Sequence, residues 1–197
     1  MDVSLYLASA SPRRRELLAQ LGVGCKVKLA EVDESVRPGE TPADYVRRLS
    51  FDKARAVGCR IRPRVGQLVL AADTAVVLDD EILGKPDGQR DAIAMLVRLG
   101  GRSHEVLTGV VVTDGERECF ALSRSVVGFR SINRDEARAY WRTGEPVDKA
   151  GAYAIQGIGT IFVRELHGSY SGVMGLPLFE TAQLLQTFGC NVLEGCR

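Results

Sequence analysis

Histidine is almost missing from this 197-residue chain: only His104 and His167 occur, and neither has a cysteine or second histidine nearby. That excludes the usual zinc sets, which need several nitrogen or sulfur ligands at short spacing. A hard cation held by carboxylates stays open. The cysteines are Cys25, Cys59, Cys119, Cys190 and Cys196, and no Cys-x-x-Cys pair occurs. Reduced thiols in a cytoplasmic protein are therefore expected. No apolar run approaches the ~20 residues that span a bilayer. The acidic start Met1-Asp2 and the short apolar stretch after it lack the form of a signal peptide. A cytoplasmic location and no membrane partner are the expectation. Net charge is lacking too, because 26 basic and 25 acidic residues leave only +1. Proteins that coat nucleic acid carry a clear basic excess. No stable nucleic-acid partner is expected, and any basic site must be local.

The common phosphate and hydrolase signatures are also absent. There is no G-x-x-x-x-G-K-[ST] loop, no G-x-G-x-x-G after a strand, no G-x-S-x-G elbow and no H-E-x-x-H. What remains is an ordinary globular composition, 45% apolar and 26% charged. Its length suits one domain or two small lobes that share a core.

The patterning predicts an α/β mixture. A short strand is expected over residues 3–7, then a helix opened by Ser11 as N-cap and Pro12 in its first position. Leu17, Leu18 and Leu21 give it an apolar stripe, and Gly22 ends it. Alternation over residues 25–32 predicts a strand, and Thr41-Pro42-Ala43-Asp44 opens a helix to about residue 57. Residues 68–78 read as a central strand and residues 89–99 as a helix stopped by Gly100-Gly101. Strands over 104–113 and 117–128 flank Asp114-Gly115, a hairpin turn. Asn133-Arg134-Asp135-Glu136 is a capping box. A last helix is expected over 178–188, with a loosely held tail after Gly189.

Several residues break this pattern. In Ser9-Ala10-Ser11-Pro12-Arg13-Arg14-Arg15 three arginines crowd a helix start, where positive charge is unfavourable. Free N–H groups, two hydroxyls and guanidinium forks together make a phosphate site; the alternative is a solvated basic turn. Asp73 interrupts the apolar run Leu70-Ala71-Ala72-Asp73-Thr74-Ala75-Val76. A carboxylate there is costly unless paired or metal-bound, so it is either a functional acid opening onto a cleft or a structural one paired with a base. Lys53 shares a helical face with Tyr45, Val46, Leu49 and Val57, and so either snorkels to water or points into a cleft. Lys85 lies in the turn Leu83-Gly84-Lys85-Pro86, suited to reaching an anion. Glu34 could offer a carboxylate to a metal or be a solvated acid, and Gln156 could read a base edge or satisfy loop backbone. The residues alone lead to an α/β protein with a cationic, carboxylate-containing cleft.

Several segments, in order, resemble the Maf family of house-cleaning nucleotide pyrophosphatases. They are Leu7-Ala8-Ser9-Ala10-Ser11-Pro12-Arg13-Arg14, Ala72-Asp73-Thr74, Leu83-Gly84-Lys85-Pro86, and Asp148-Lys149-Ala150-Gly151-Ala152-Tyr153-Ala154-Ile155-Gln156-Gly157. Gly168-Ser169-Tyr170 and Val173-Met174-Gly175-Leu176-Pro177 complete the match, which runs from Leu5 to about Leu185. The resemblance implies a two-lobed, mixed-sheet α/β fold around a nucleotide cleft, often dimeric. It implies hydrolysis of a nucleoside triphosphate between its α and β phosphates with a divalent cation, Mg2+ or Mn2+. By motif position Asp73 is the catalytic residue, and Glu34 with Asp73 holds the metal. Ser9, Arg14, Lys53 and Lys85 contact phosphates. Arg13, Thr74 and Gln156 set base choice, and arginine after Ser-Pro resembles the dTTP and UTP subgroup. The rival expectations are a modified purine nucleotide as substrate, or a non-catalytic nucleotide- or nucleic-acid-binding regulator of cell division. Two departures from the family pattern stand out. Leu99-Gly100-Gly101 replaces Leu-Ser-Gly, and Ser171-Gly172 stands where relatives carry a bulkier residue and asparagine.

Overall fold

The longest apolar run becomes the axis of the molecule. In the computed structural model, which describes residues 4–194, strand β3 spans Gln67–Leu78 and has neighbours on both edges. Along one edge runs β5, Ser103–Thr113, antiparallel over residues 69–77 of β3. On the other edge β1, Ser4–Leu7, pairs in parallel with residues 67–70, and β4, Glu81–Leu83, pairs antiparallel with residues 76–78. Between β1 and β4 that edge has no strand neighbour over residues 71–75. Backbone groups on such an edge need other partners, and over this gap the edge of the sheet is left open. Asp73 sits in it.

β5 and β6 (Glu118–Phe129) form the expected hairpin, with Asp114 Oδ1 accepting from the N–H groups of Glu116 and Arg117. β7, Val163–His167, extends the sheet beyond β6. β2 is shorter than its alternation suggests and covers Cys25–Val27 only. Its partner β1 stops at Leu7 and leads into helix α1 (Pro12–Gln20), so pairing ends with Lys28 N–H donating to the Leu7 carbonyl. Glu34 therefore lies in irregular chain rather than at a strand end.

Alternation along β3 sends side chains to two layers. Helix α2, Pro42–Ile61, covers one face, where Val46, Leu49, Ala54 and Val57 are buried and Val69, Ala71, Ala75 and Val77 sit on β3. It runs one turn past the predicted end, to Arg62 in the left-handed region. The other face carries two clusters. Helix α1 (Pro12–Gln20) and helix α6 (Leu178–Thr187) cover Leu68, Leu70 and Ala72. Helices α3 (Gln89–Leu99) and α4 (Arg134–Trp141) cover the end of the sheet near Val76 and Leu78. Met174, at the end of the short helix α5 (Tyr170–Met174), packs against both clusters. The cleft opens where they meet.

Gly100 places its α-carbon so close to Ile132 that a Cβ would lie 2.8 Å from the Ile132 nitrogen. A serine at this helix end would need that contact to give. Cys25, Cys59 and Cys119 are free thiols, but Cys190 is disulfide-bonded, against the expectation of reduced cysteines throughout; Cys196 lies outside the described residues. Pairing depends on the approach of the α-carbons rather than on a Cys-x-x-Cys spacing. The chain after Gly189 is not loose at its start either: Cys190 is fully buried and its N–H donates to the Leu185 carbonyl. Among the described residues no helix is long and apolar enough to cross a membrane.

His104, on β5, is 3% exposed and packs edge-on against Phe129 and Tyr153. Its Nε2 lies 2.8 Å from the Tyr153 hydroxyl and its Nδ1 has no partner. Burial pushes its pKa down to about 4. The unfolded chain takes a proton here below its ordinary pKa of about 6.5, whereas the folded chain refuses it until about 4. Stability should therefore fall as pH drops from about 6.5 to 4, by on the order of 3 kcal/mol when complete. Urea titrations of wild type and His104→Gln across that range test this; an equal slope in both would show that other groups carry the acid sensitivity.

Candidate active site

The first wall is the start of α1. Ser11 takes the N-cap position with extended backbone, but its hydroxyl caps nothing, and no acidic residue lies in the first turn. Ser9, 7% exposed, does the local work: its Oγ accepts from Ser11 N–H at 3.1 Å and from Arg14 Nη1 at 3.1 Å. Arg14 also donates from Nε to the Gly175 carbonyl at 2.8 Å and from Nη2 to Thr74 Oγ1 at 3.3 Å. Its guanidinium is thus aimed by three elements at once. Gly175 permits this at φ +112°, a conformation that a side chain would strain.

The floor is the open edge of β3. Asp73 faces α2, and Thr74 faces the opposite layer, where it meets Thr108 Oγ1 at 2.9 Å. Lys53 on α2 does not snorkel. It is 8% exposed, and its Nζ lies 2.6 Å from Asp73 Oδ1 and 2.6 Å from Glu34 Oε1. The acid in the strand and the lysine on the apolar stripe thus satisfy each other. Both anomalies of the sequence have one physical cause.

The second wall is built by Leu83-Gly84-Lys85 and by residues 148–156. Gly151, at φ +67°, brings its N–H to the Gly84 carbonyl at 3.0 Å. A Cβ there would meet Val76 at 2.9 Å. Gln156 is exposed on a turn held from behind. Tyr140 Oη accepts from Ala154 N–H, and Glu145 accepts from the N–H groups of Ile158 and Gly159.

All nine residues singled out in the sequence line one cleft of about 630 Å³. Five more charged or polar side chains line it to which the sequence reading gave no role: Glu31, Tyr45, Tyr153, Asp148 and Lys149. Asp148 and Lys149 pair with each other. They open the motif that ends in Gln156, and their only signal was that position.

The two carboxylates on Lys53 are not equivalent. Burial pushes Asp73 above its ordinary pKa, and the pull of Lys53 and Arg14 does not undo this. Burial also raises Glu34, but Lys53, Lys85 and Arg14 outweigh it and hold Glu34 below its ordinary value. Environments that drive paired carboxyls apart mark which one exchanges a proton and which stays ionised. Of the two, Asp73 is the more readily protonated and Glu34 the one held ionised. Arg14 is pushed down by burial and held up by Asp73, and a guanidinium keeps its charge through such a shift. Among the described residues no group of three or more His, Cys, Asp or Glu side chains gathers to hold a metal.

Comparison with known proteins is consistent along the whole chain. The profile of the Maf-like protein family matches residues 4–188. The dTTP/UTP pyrophosphatase of Methylococcus capsulatus is 55% identical over 188 residues, covering 95% of this chain and 92% of that protein. Its counterpart from Saccharophagus degradans is 52% identical over 196 residues, covering 98% and 92%. The one from Symbiobacterium thermophilum is 48% identical over 191 residues and covers 97% of each. With a family match over residues 4–188 and about half of all positions identical across nearly the full length of these relatives, this chain belongs to the Maf-like protein family.

Proposed function

We propose that the cleft hydrolyses dTTP and UTP between the α and β phosphates, releasing the nucleoside monophosphate and pyrophosphate. The observation that carries this reading is the carboxylate pair on Lys53, with pKa values driven apart, inside a cleft ringed by arginine and lysine. The names of the relatives supply the substrate.

The charges support a triphosphate with a cation. Arg13, Arg14, Lys53, Lys85 and Lys149 are five positive groups, and Glu31, Glu34, Asp73 and Asp148 are four negative ones, so the lining sums to +1. A nucleoside triphosphate brings about four negative charges, and catalysis of its hydrolysis is largely positioning and charge stabilisation. The lining alone is short of charge. Asp73 and Glu34 already share one cation, the Lys53 ammonium. One or two carboxylates plus phosphate oxygens and water are the usual set for magnesium, so the donors fit a hard cation that arrives with substrate. Bound there, Mg2+ or Mn2+ supplies neutralisation of phosphate charge.

The chain's own groups then divide the work. Asp73 orients the attacking water and takes its proton. Arg14, held by Ser9, Thr74 and the Gly175 carbonyl, faces the phosphates with Lys53 and Lys85 and offsets charge on the departing pyrophosphate. Thr74 serves partly through Arg14, because its hydroxyl is bonded to Arg14 and Thr108. With UTP and a divalent cation, product analysis should give UMP and pyrophosphate, and chelation should stop release. UDP with orthophosphate as first products would move the scissile bond.

Arg13 and Gln156 set pyrimidine preference in this reading. Neighbouring residues on a helix diverge by about 100°, which frees Arg13 from the bonds that aim Arg14. Gln156 offers a donor and an acceptor to a pyrimidine edge. Arg13→Trp and Gln156→Ala should change the kcat/KM ratios among UTP, dTTP, CTP, GTP and 7-methyl-GTP by roughly 1–3 kcal/mol of discrimination. Arg14→Ala should lower all of them together. One common factor for Arg13→Trp and Gln156→Ala would place base choice elsewhere.

A further inference from the structure

Glu34 is carried by chain that has little of its own to hold it. Residues 28–41 join β2 to α2 without helix or strand, and Glu34's side chain is 48% exposed. Its larger apolar side chains Leu29 and Val36 are exposed at 56% and 52% and only Ala30 packs on the core, so no bulky apolar anchor fixes the chain around Glu34. Polar clamps from α2 do so instead. Arg48 Nη1 donates to the Asp33 carbonyl at 3.3 Å, and Arg48 Nη2 to the Ser35 carbonyl at 2.9 Å. Tyr45, one turn earlier, donates its hydroxyl to the Glu34 carbonyl at 3.0 Å. Three consecutive carbonyls are thus taken by two side chains of one helix.

Arg48 is itself anchored. Its Nε and Nη2 meet Glu40 Oε1 and Oε2 at 2.5 and 2.8 Å, a two-point fork, with the two side chains only 13% and 8% exposed. Glu40 Oε2 also accepts from Arg37 N–H at 3.0 Å. Exposed ion pairs contribute little, but a shielded fork to a carboxylate fixes geometry as well as charge. The guanidinium also lies 5.6 Å from the centre of the Tyr45 ring, steadying the second clamp. Arg48 is too committed to these partners to reach substrate, and it does not line the cleft.

We propose that Arg48, anchored by Glu40, is a positioning residue for Glu34: it fixes the backbone of residues 33–35 so that the Glu34 carboxylate faces Lys53 and the bound phosphates. The proposal rests on the pyrophosphatase reading of the cleft. Its signature is that Arg48 matters only while Glu34 is present.

The test is a double-mutant cycle on kcat/KM for UTP, at fixed divalent cation, in wild type, Glu34→Ala, Arg48→Ala and the double variant. Loss of a supporting partner of this kind typically costs about 10- to 100-fold, and Arg48→Ala should fall in that range. The double variant should be no slower than Glu34→Ala, within about threefold. Amide exchange over residues 33–40 should quicken in Arg48→Ala while exchange in β3 stays as in wild type. Arg48→Lys should restore little, because an ammonium cannot reproduce the fork. Glu40→Gln, a milder change, should show the same pattern at smaller size. Losses that multiply in the double variant, or unchanged exchange over 33–40, would assign Arg48 to general stability and overturn the proposal. Wild-type rates in Arg48→Ala beside a slow Glu34→Ala would overturn it alone. Wild-type rates in Glu34→Ala would instead overturn the role of Glu34 in the catalytic reading, and the proposal with it.

Discussion

Asp73→Asn should lose at least about 100-fold in turnover, the usual range for a general base, while still binding UTP. The amide keeps the volume and one acceptor toward Lys53, and removes the group proposed to take the proton of water. The stability consequence runs the other way from a simple salt-bridge expectation. Burial raises Asp73 above its ordinary pKa despite Lys53 and Arg14. The folded chain therefore holds this proton more tightly than the unfolded chain does. That contribution is fully present below the ordinary carboxylate pKa and is lost as pH rises through the folded one. Above its folded pKa the ionised Asp73 is thus a burden on the fold, so there the melting temperature of Asp73→Asn should equal or exceed that of wild type. The same shift moves the acid limb of kcat/KM in wild type above the ordinary carboxylate range. Activity within a few-fold of wild type would make Asp73 a structural acid. A marked fall in melting temperature would show that the pairing with Lys53 outweighs burial.

Lys53→Met should cost stability and activity together. Lys53 is the ammonium on which Asp73 and Glu34 both close at 2.6 Å. Removing it leaves the 7%-exposed Asp73 facing a second carboxylate, with Arg14 as the nearest compensation. Breaking a buried pair by deleting one partner typically costs about 3–5 kcal/mol. For a chain of this size that is on the order of 10 °C in melting temperature. Turnover should fall as well, since the proposed phosphate contact and the alignment of both carboxylates go together. Lowering the pH should recover part of the lost stability, as Asp73 takes up the proton that replaces the ammonium. A variant melting within about 2 °C of wild type would show that the lysine is not needed to balance these charges.

If Asp73→Asn and Lys53→Met behave as expected, the floor of the cleft is more costly to fold than to leave apolar. The open edge over residues 71–75 and the small side chains Ala71, Ala72 and Ala75 leave room where a closed sheet would have none. Sites that break local rules in this way are where function is expected.

Local chemistry accounts for much of what was legible in the sequence. The capping box at Asn133 forms as read, with Glu136 reaching back to the Asn133 N–H. Thr41 caps α2, α3 spans the predicted residues 89–99, and Asp114-Gly115 turns the β5–β6 hairpin. β4 was not legible, because its two-residue turn is Asp79-Asp80, both at positive φ and without the glycine that usually signals such a turn. Nor was β7, whose residues are mostly exposed and carry no alternation. The site residues were visible as violations: arginines at a helix start, an acid in a strand and a lysine on an apolar stripe.

The sequence by itself determined these elements, the motif order and the family, because caps, turns and periodicity act over a few residues. Only the tertiary structure decided that Lys53 answers Asp73, that Glu34 stays ionised while Asp73 is raised, and that Arg48 carries the Glu34 loop. Those facts depend on residues brought together from α2, β3 and an irregular segment. A desolvation cost or a charge pair exists only once folding has set burial and distance.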